Sequence, residues 1–182
     1  MRSYRTVGSQ PLSSPVLADD LLEFHAARLL LLLAECGVTG RIDGLTKLAK
    51  LDFFVRYPQF FNRACERLGS QATSTATSVE ASMVRYKYGP WDERYYHILP
   101  FLESIGLIAV HSHDKSIEFV LTDAGRQEAR SLAQHPAYED LVGQMRQVGR
   151  LLGKKTGSSL KKLIYELFAT EVVHKHFGEV IR

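Results

Sequence analysis

Apolar positions between residues 91 and 121 change their spacing partway, and the change predicts the elements. Trp91, Tyr95, Ile98, Leu99 and Leu102 recur every three or four residues, which places an aromatic and aliphatic stripe on one face of a helix that begins after Gly89-Pro90 and ends at Gly106. Two short apolar runs follow, 107–110 and 117–121, joined by the polar His111-Ser-His-Asp-Lys-Ser116. They read as a hairpin, and Thr122 is placed to cap the next helix. Loop, helix, strand, turn, strand and helix start, in that order, form the core of a winged helix.

Elsewhere the pattern is helical. A leader over 1–17 contains Ser and Pro and reads as irregular; Asp19 or Asp20 then opens a helix that Gly37 stops. A turn is expected over 40–44. Leu45, Leu48, Leu51, Phe54 and Val55 give the next helix its apolar face, and Arg56-Tyr57-Pro58 breaks it. Pro58 begins a short helix, followed by small polar residues over 69–78 that predict a loop. Helices over 123–134 and 137–152 flank His135-Pro136, a basic turn spans 153–158, and a last helix over 159–177 carries an irregularity near Thr170. The expected fold class is therefore mainly α with a small β-hairpin wing: a winged helix-turn-helix over 18–134, with additional N-terminal helices and a basic helical extension over 135–182.

Composition fits this reading, since 45% hydrophobic and 24% charged residues are ordinary for a globular chain and argue against wholesale disorder. The net charge of +3 is unevenly spread: eight basic and three acidic residues lie from 141 onward, so that segment carries +5 and the remainder −2. Polyanion contact is thus expected from the tail. Cys36 and Cys65 are too far apart for a zinc spacing and suit a reducing compartment. The longest apolar run, 29–34, is too short to span a bilayer, and the polar start lacks a signal-peptide pattern. A cytoplasmic protein with no membrane contact is expected.

Chemistry-bearing motifs are sparse. The chain has no Walker-type loop, Rossmann glycine fingerprint or Gly-x-Ser-x-Gly elbow, so a non-enzyme without cofactor is expected. His111, His113 and Asp114 could donate to a metal, but polar side chains at a wing tip are expected on solvation grounds alone, and a closed site needs further ligands. His174 and His176 diverge on a helix. No metal site is assigned.

A winged helix invites a DNA-binding reading in which the helix before the wing enters the major groove. Here that helix opens Trp91-Asp-Glu-Arg94, with two acids facing the phosphates, and Arg94 is its only cation before Gly106. Protein contact suits it better. Tyr88 and Tyr96 fall off the apolar stripe and suit a desolvated contact, with Trp91 and Tyr95 either core or contact residues and Arg56-Tyr57 adjoining. Asp52 and Arg56 read as an exposed i,i+4 pair. Phosphate contact is assigned instead to Arg85 and Lys87 and to a stripe of Arg146, Arg150 and Lys154, continued by Lys155, Lys161 and Lys162; the plain alternative is a solvated charged face.

Two segments carry a family resemblance. Ile42-Asp-Gly-Leu-Thr-Lys-Leu-Ala-Lys-Leu-Asp-Phe-Phe-Val-Arg-Tyr-Pro58, and Arg85-Tyr-Lys-Tyr-Gly-Pro-Trp-Asp-Glu-Arg-Tyr-Tyr96 with the Leu-Glu-Ser-Ile-Gly-Leu-Ile that follows, resemble the middle components of bacterial ABC-three-component defence systems; the Lamassu small subunit is similar in kind. The resemblance covers roughly residues 42–125. It implies a non-catalytic adaptor that accompanies an SMC-like ATPase and an effector, often a nuclease, and it leaves contact with duplex DNA open. A winged-helix transcriptional regulator is the alternative. A small hydrolase whose active site is not visible in the sequence is a distant third.

Overall fold

The computed structural model describes residues 21–71, 82–87, 89–113 and 116–181. The expectations for the leader over 1–17, the Asp19 or Asp20 cap, the loop from residue 72 to 78, Tyr88 and Asp114 lie outside them. The protein is mainly helical with a small antiparallel sheet. In chain order it forms α1 (Leu22–Cys36), β1 (Arg41–Asp43), α2 (Leu45–Arg56), α3 (Pro58–Arg67), β2 (Val84–Tyr86), β3 (Gly89–Trp91), α4 (Tyr95–Ser104), β4 (Ile108–His113), β5 (Ser116–Leu121), α5 (Asp123–Gln134), α6 (Glu139–Leu152) and α7 (Gly157–Leu167). A π-helical turn, Ala169–Val173, follows α7 at the place where the pattern predicts an irregularity.

The hairpin forms as expected and is longer, pairing Ile108 with Leu121 and His113 with Ser116. Thr122 caps α5: its Oγ1 accepts the Gly125 N–H at 3.0 Å and donates to the Gly106 carbonyl at 2.7 Å. The turn expected over 40–44 is instead a third strand. Arg41–Asp43 pairs with β5, so the sheet order is β1-β5-β4, and Ile42 opposite Phe119 is fully buried between exposed Arg41 and Asp43. Three residues are too few for an alternation to stand out from a turn.

Around Gly89-Pro90 the structure also differs. Gly89, Pro90 and Trp91 form a strand paired with β2, and helix α4 starts only at Tyr95. Gly89, the first residue of β3, has φ +95°, a conformation open to glycine. Asp92 then holds the chain out of the helix, accepting the Arg94 N–H at 3.0 Å in a side-chain turn. Trp91 is thus a strand residue and not part of the α4 stripe, whose inward face is Tyr95, Ile98, Leu99 and Leu102.

One core runs through the molecule. α2 is buried on every side, from Lys47 to Arg56, because α1, α3, α6, α7, β1 and β3 all pack against it. An aromatic group of Phe53, Phe54, Tyr57, Phe60, Phe61 and Phe168 joins α2, α3 and the end of α7. Val142, Met145, Val148, Leu160, Leu163 and Ile164 on α6 and α7 belong to the same core as Leu29 to Leu33 of α1. The chain end returns to this core. Arg85 donates its N–H to the Glu179 carbonyl at 2.8 Å and Ile181 donates to Met83 at 2.9 Å, so residues 178–181 run beside β2. Among the described residues, no helix is long and apolar enough to cross a membrane.

Candidate functional site

The two segments that carry the resemblance meet in the interior, joined by charge. Asp52, in the middle of α2, is fully buried and ion-paired to Arg28 of α1, which is also fully buried. The Tyr95 hydroxyl donates to Asp52 Oδ2 at 2.6 Å, and Arg56 Nη1 approaches the same oxygen at 3.5 Å. Arg56 then donates to Asp92 Oδ2 at 2.8 Å. Arg94 completes the chain, gripping Asp92 through Nε and Nη2 at 2.9 Å and 2.8 Å and reaching His25 Nε2 with Nη1 at 2.7 Å. α1, α2 and the β3–α4 junction are thereby fastened by Arg28, Asp52, Arg56, Asp92, Arg94 and Tyr95.

The ionisation of these groups follows from their neighbours. Burial opposes the Asp92 charge, but the Arg94 hydrogen bond and the Arg56 and Arg94 charges outweigh it and hold the carboxyl well below the usual carboxylate range. Burial likewise opposes the Arg56 charge, and Asp52, Tyr95 and Asp92 more than offset it. Burial and the adjacent Asp52 push the Tyr95 hydroxyl up, which keeps it a donor. Lys50, also on α2, has no carboxylate partner among the described residues, and its Nζ donates to the Pro90 carbonyl at 2.9 Å. Burial, with Lys161 and Arg85 adding repulsion, lowers its pKa to about 7.

This placement corrects two expectations. The Asp52–Arg56 pair is not exposed; both side chains are essentially inaccessible, because α2 has no solvent face on which an i,i+4 pair could sit. Asp92 does not confront a groove with the wrong sign, since it is buried between Arg56 and Arg94 and only Glu93 faces outward. Arg56, Tyr57 and Tyr95, proposed as contact residues, are interior groups. Tyr57 accepts the Met83 N–H at 2.7 Å and donates to the Ile181 carbonyl at 2.9 Å.

Above the ion cluster lies an aromatic surface. Trp91 is 7% exposed and touches Tyr86, Tyr95 and Tyr96, with ring centroids 5.9, 5.6 and 5.9 Å away. Phe177 packs edge-on against Tyr86 at 6.3 Å, with the Arg85 guanidinium 5.1 Å from its ring. Tyr86, Tyr96 and Phe177 are 45%, 59% and 69% exposed, so three large rings turn outward around one mostly buried tryptophan. Sequence reasoning found Tyr96 and Trp91 but not Phe177, which is far away in the chain and arrives only because residues 178–181 return to β2.

The predicted phosphate contacts are dispersed. Arg146 and Arg150 share one face of α6 and line one shallow cleft, with Arg146 paired to Glu35 at 3.1 Å. Lys154 does not continue that stripe, because α6 ends at Leu152 and Lys154 and Lys155 lie in the following turn. Lys161 sits over the Tyr165 ring at 5.4 Å, and exposed Lys162 pairs with Glu166 at 3.7 Å. Lys87 is exposed and Arg85 half-buried. His111 is a strand residue opposite Glu118, and among the described residues no three His, Cys, Asp or Glu side chains gather as a metal site. Cys36 and Cys65 are free, buried thiols. No family model, curated protein or solved structure matches the chain.

Proposed function

We propose that this chain is a non-catalytic adaptor, the winged-helix small subunit of an SMC-like ATPase complex of the ABC-three-component or Lamassu kind. The observation that carries the reading is the outward-facing ring set Tyr86, Tyr96 and Phe177 around Trp91, held from beneath by the Arg28–Asp52–Arg56–Asp92–Arg94 cluster. Exposed aromatic side chains on a rigid support are what a desolvated protein contact needs, since little side-chain freedom remains to be lost on docking. Both halves of the resemblance contribute to this one assembly. The winged-helix assignment is supported by the order α1-β1-α2-α3, then α4-β4-β5, and by a sheet in which β1 pairs with the second strand of the hairpin.

The adaptor reading is favoured over an operator-binding regulator because α4, the element before the hairpin, contains no lysine or arginine between Tyr95 and Ser104. An effector nuclease is a further docking partner in this reading, and duplex DNA a non-specific contact through Arg146 and Arg150. A tagged chain expressed in its native host should recover a long coiled-coil ATPase, identified by mass spectrometry. Tyr96→Ala and Phe177→Ala should each lower that recovery while circular dichroism stays unchanged. Full recovery with the double variant would remove the aromatic surface from the interface, and recovery of no ATPase would sink the adaptor reading itself.

A further inference from the structure

The cleft between α1, α5 and α6 has a chemistry of its own. It is an open cleft of about 630 Å³, within the range of small-molecule sites, lined by Arg126 and Arg130 of α5 and Arg146 of α6. Its floor is apolar, formed by Ala34, Leu121, Ala129 and Ala133.

The three arginines are set differently. Arg126 is half-exposed and anchored at the rim: Nη1 donates to the Thr39 carbonyl at 3.0 Å, and a Cβ on Gly40 would come within 2.7 Å of that same nitrogen. Gly40, at φ +77°, is therefore the residue that leaves room for the guanidinium at the rim. Arg146 is held by Glu35. Arg130 is exposed, and no carboxylate among the described residues pairs with it. Glu35 is the one acid among the lining residues and Asp123 pairs with Arg126 at 3.7 Å, so Arg130 is the cation of the three that no carboxylate among the described residues offsets.

We propose that this cleft binds the phosphate group of a phosphate ester, with the ester's planar or apolar remainder over the alanine floor. Arginine forks match phosphate oxygens in geometry as well as charge. One arginine fixed by a backbone carbonyl and one exposed arginine give a site that is partly preformed and still able to close on the anion. The open cleft is of a size to seat a mononucleotide, and a nucleic-acid backbone offers the same phosphate chemistry in another form. The site is separate from the aromatic surface; it shares Arg146 with the DNA contact of the adaptor reading but is tested on the isolated chain, so ATPase recovery and cleft binding can fail independently.

The experiment is equilibrium binding by calorimetry with three probes: inorganic phosphate, ADP and a short duplex DNA. Arg130→Gln should weaken binding by roughly tenfold or more, as expected for a lost charge-assisted contact. Arg130 is exposed and has no carboxylate partner among the described residues, so this variant keeps its fold. Ala133→Phe should weaken binding comparably by filling the floor without altering charge, and Arg67→Gln, on α3, should have no effect. Saturable ADP binding lost in both cleft variants identifies a free nucleotide as the phosphate source; binding of duplex alone, lost in both variants, identifies the backbone. Absence of binding by all three probes overturns the proposal. So does binding that survives Arg130→Gln and Ala133→Phe.

Discussion

At the scale of single residues, charge in the interior decides more than charge at the surface. Asp52 is fully buried against Arg28, so removing its charge takes the paired carboxylate from that interior guanidinium while Arg56 keeps Asp92, a loss of roughly 3–5 kcal/mol. The exposed Lys162–Glu166 pair is worth only about 0.3–0.5 kcal/mol by comparison. Asp52→Asn should therefore unfold at clearly lower urea concentration than wild type, whereas Glu166→Gln should be nearly silent. Equal effects would mean that the interior cluster is hydrated. Lys50 gives a prediction with a sign. Its pKa falls to about 7 when folded, against about 10.4 in an unfolded chain, so the unfolded state holds more protons between those values and stability rises with pH there. Between pH 7 and about 8.5, before unfolded thiols titrate, the wild type should gain stability relative to Lys50→Met. Parallel curves for the two proteins would show that Lys50 keeps an ordinary pKa in the fold.

At the scale of elements, the hairpin, its Thr122 cap and helices α5 and α6 were legible, because each combines a long apolar pattern with a clear start or stop signal. The short strands were not. β1, β2 and β3 have three residues each and depend on partners distant in sequence, and α2 was misread as half-exposed because a helix surrounded by six elements can bury lysine, aspartate and arginine along with its leucines. The α1–α6 crossing went unread as well, although Gly149 and Gly153 are spaced for it. A Cβ on Gly149 would meet the Glu35 carbonyl at 2.2 Å, and one on Gly153 would meet the Cys36 carbonyl at 2.6 Å, so the helices touch backbone to backbone. Helix propensity favours Gly149→Ala by about 1 kcal/mol, but the overlap with the rigid carbonyl is larger, and the net result should be destabilisation by roughly 2 kcal/mol. Gly143 on the same helix has nothing within 4 Å, so Gly143→Ala should stabilise by about 0.5–1 kcal/mol. Both values come from chemical denaturation, and a stabilising Gly149→Ala would contradict the close crossing.

At the scale of the whole molecule, the sequence pointed to a basic tail added to a winged-helix body, and the structure ties that tail into the core. Ile181 is fully buried, its carbonyl accepts the Tyr57 hydroxyl, and its N–H donates to Met83. Phe177 is thereby placed against Tyr86, which links the chain end to the aromatic surface. Charge and length could not reveal this, because residues 178–181 turn at Gly178 and then pair with β2 through backbone groups, with no side-chain periodicity. Ending the chain after Phe177 should remove the burial of one isoleucine, about 1.5–3 kcal/mol, and leave a buried tyrosine hydroxyl without its acceptor, about 1 kcal/mol more. For a protein of this size that corresponds to a fall in melting temperature of roughly 6–12 °C. A scanning calorimetry trace should show this fall for the truncated chain, and Ile181→Ala should reproduce part of it, because the backbone pairing with Met83 and Arg85 survives that substitution. A truncated chain that melts with the wild type would mean that residues 178–181 lie on the surface as an accessory, and the position of Phe177 in the aromatic surface would then have no structural support.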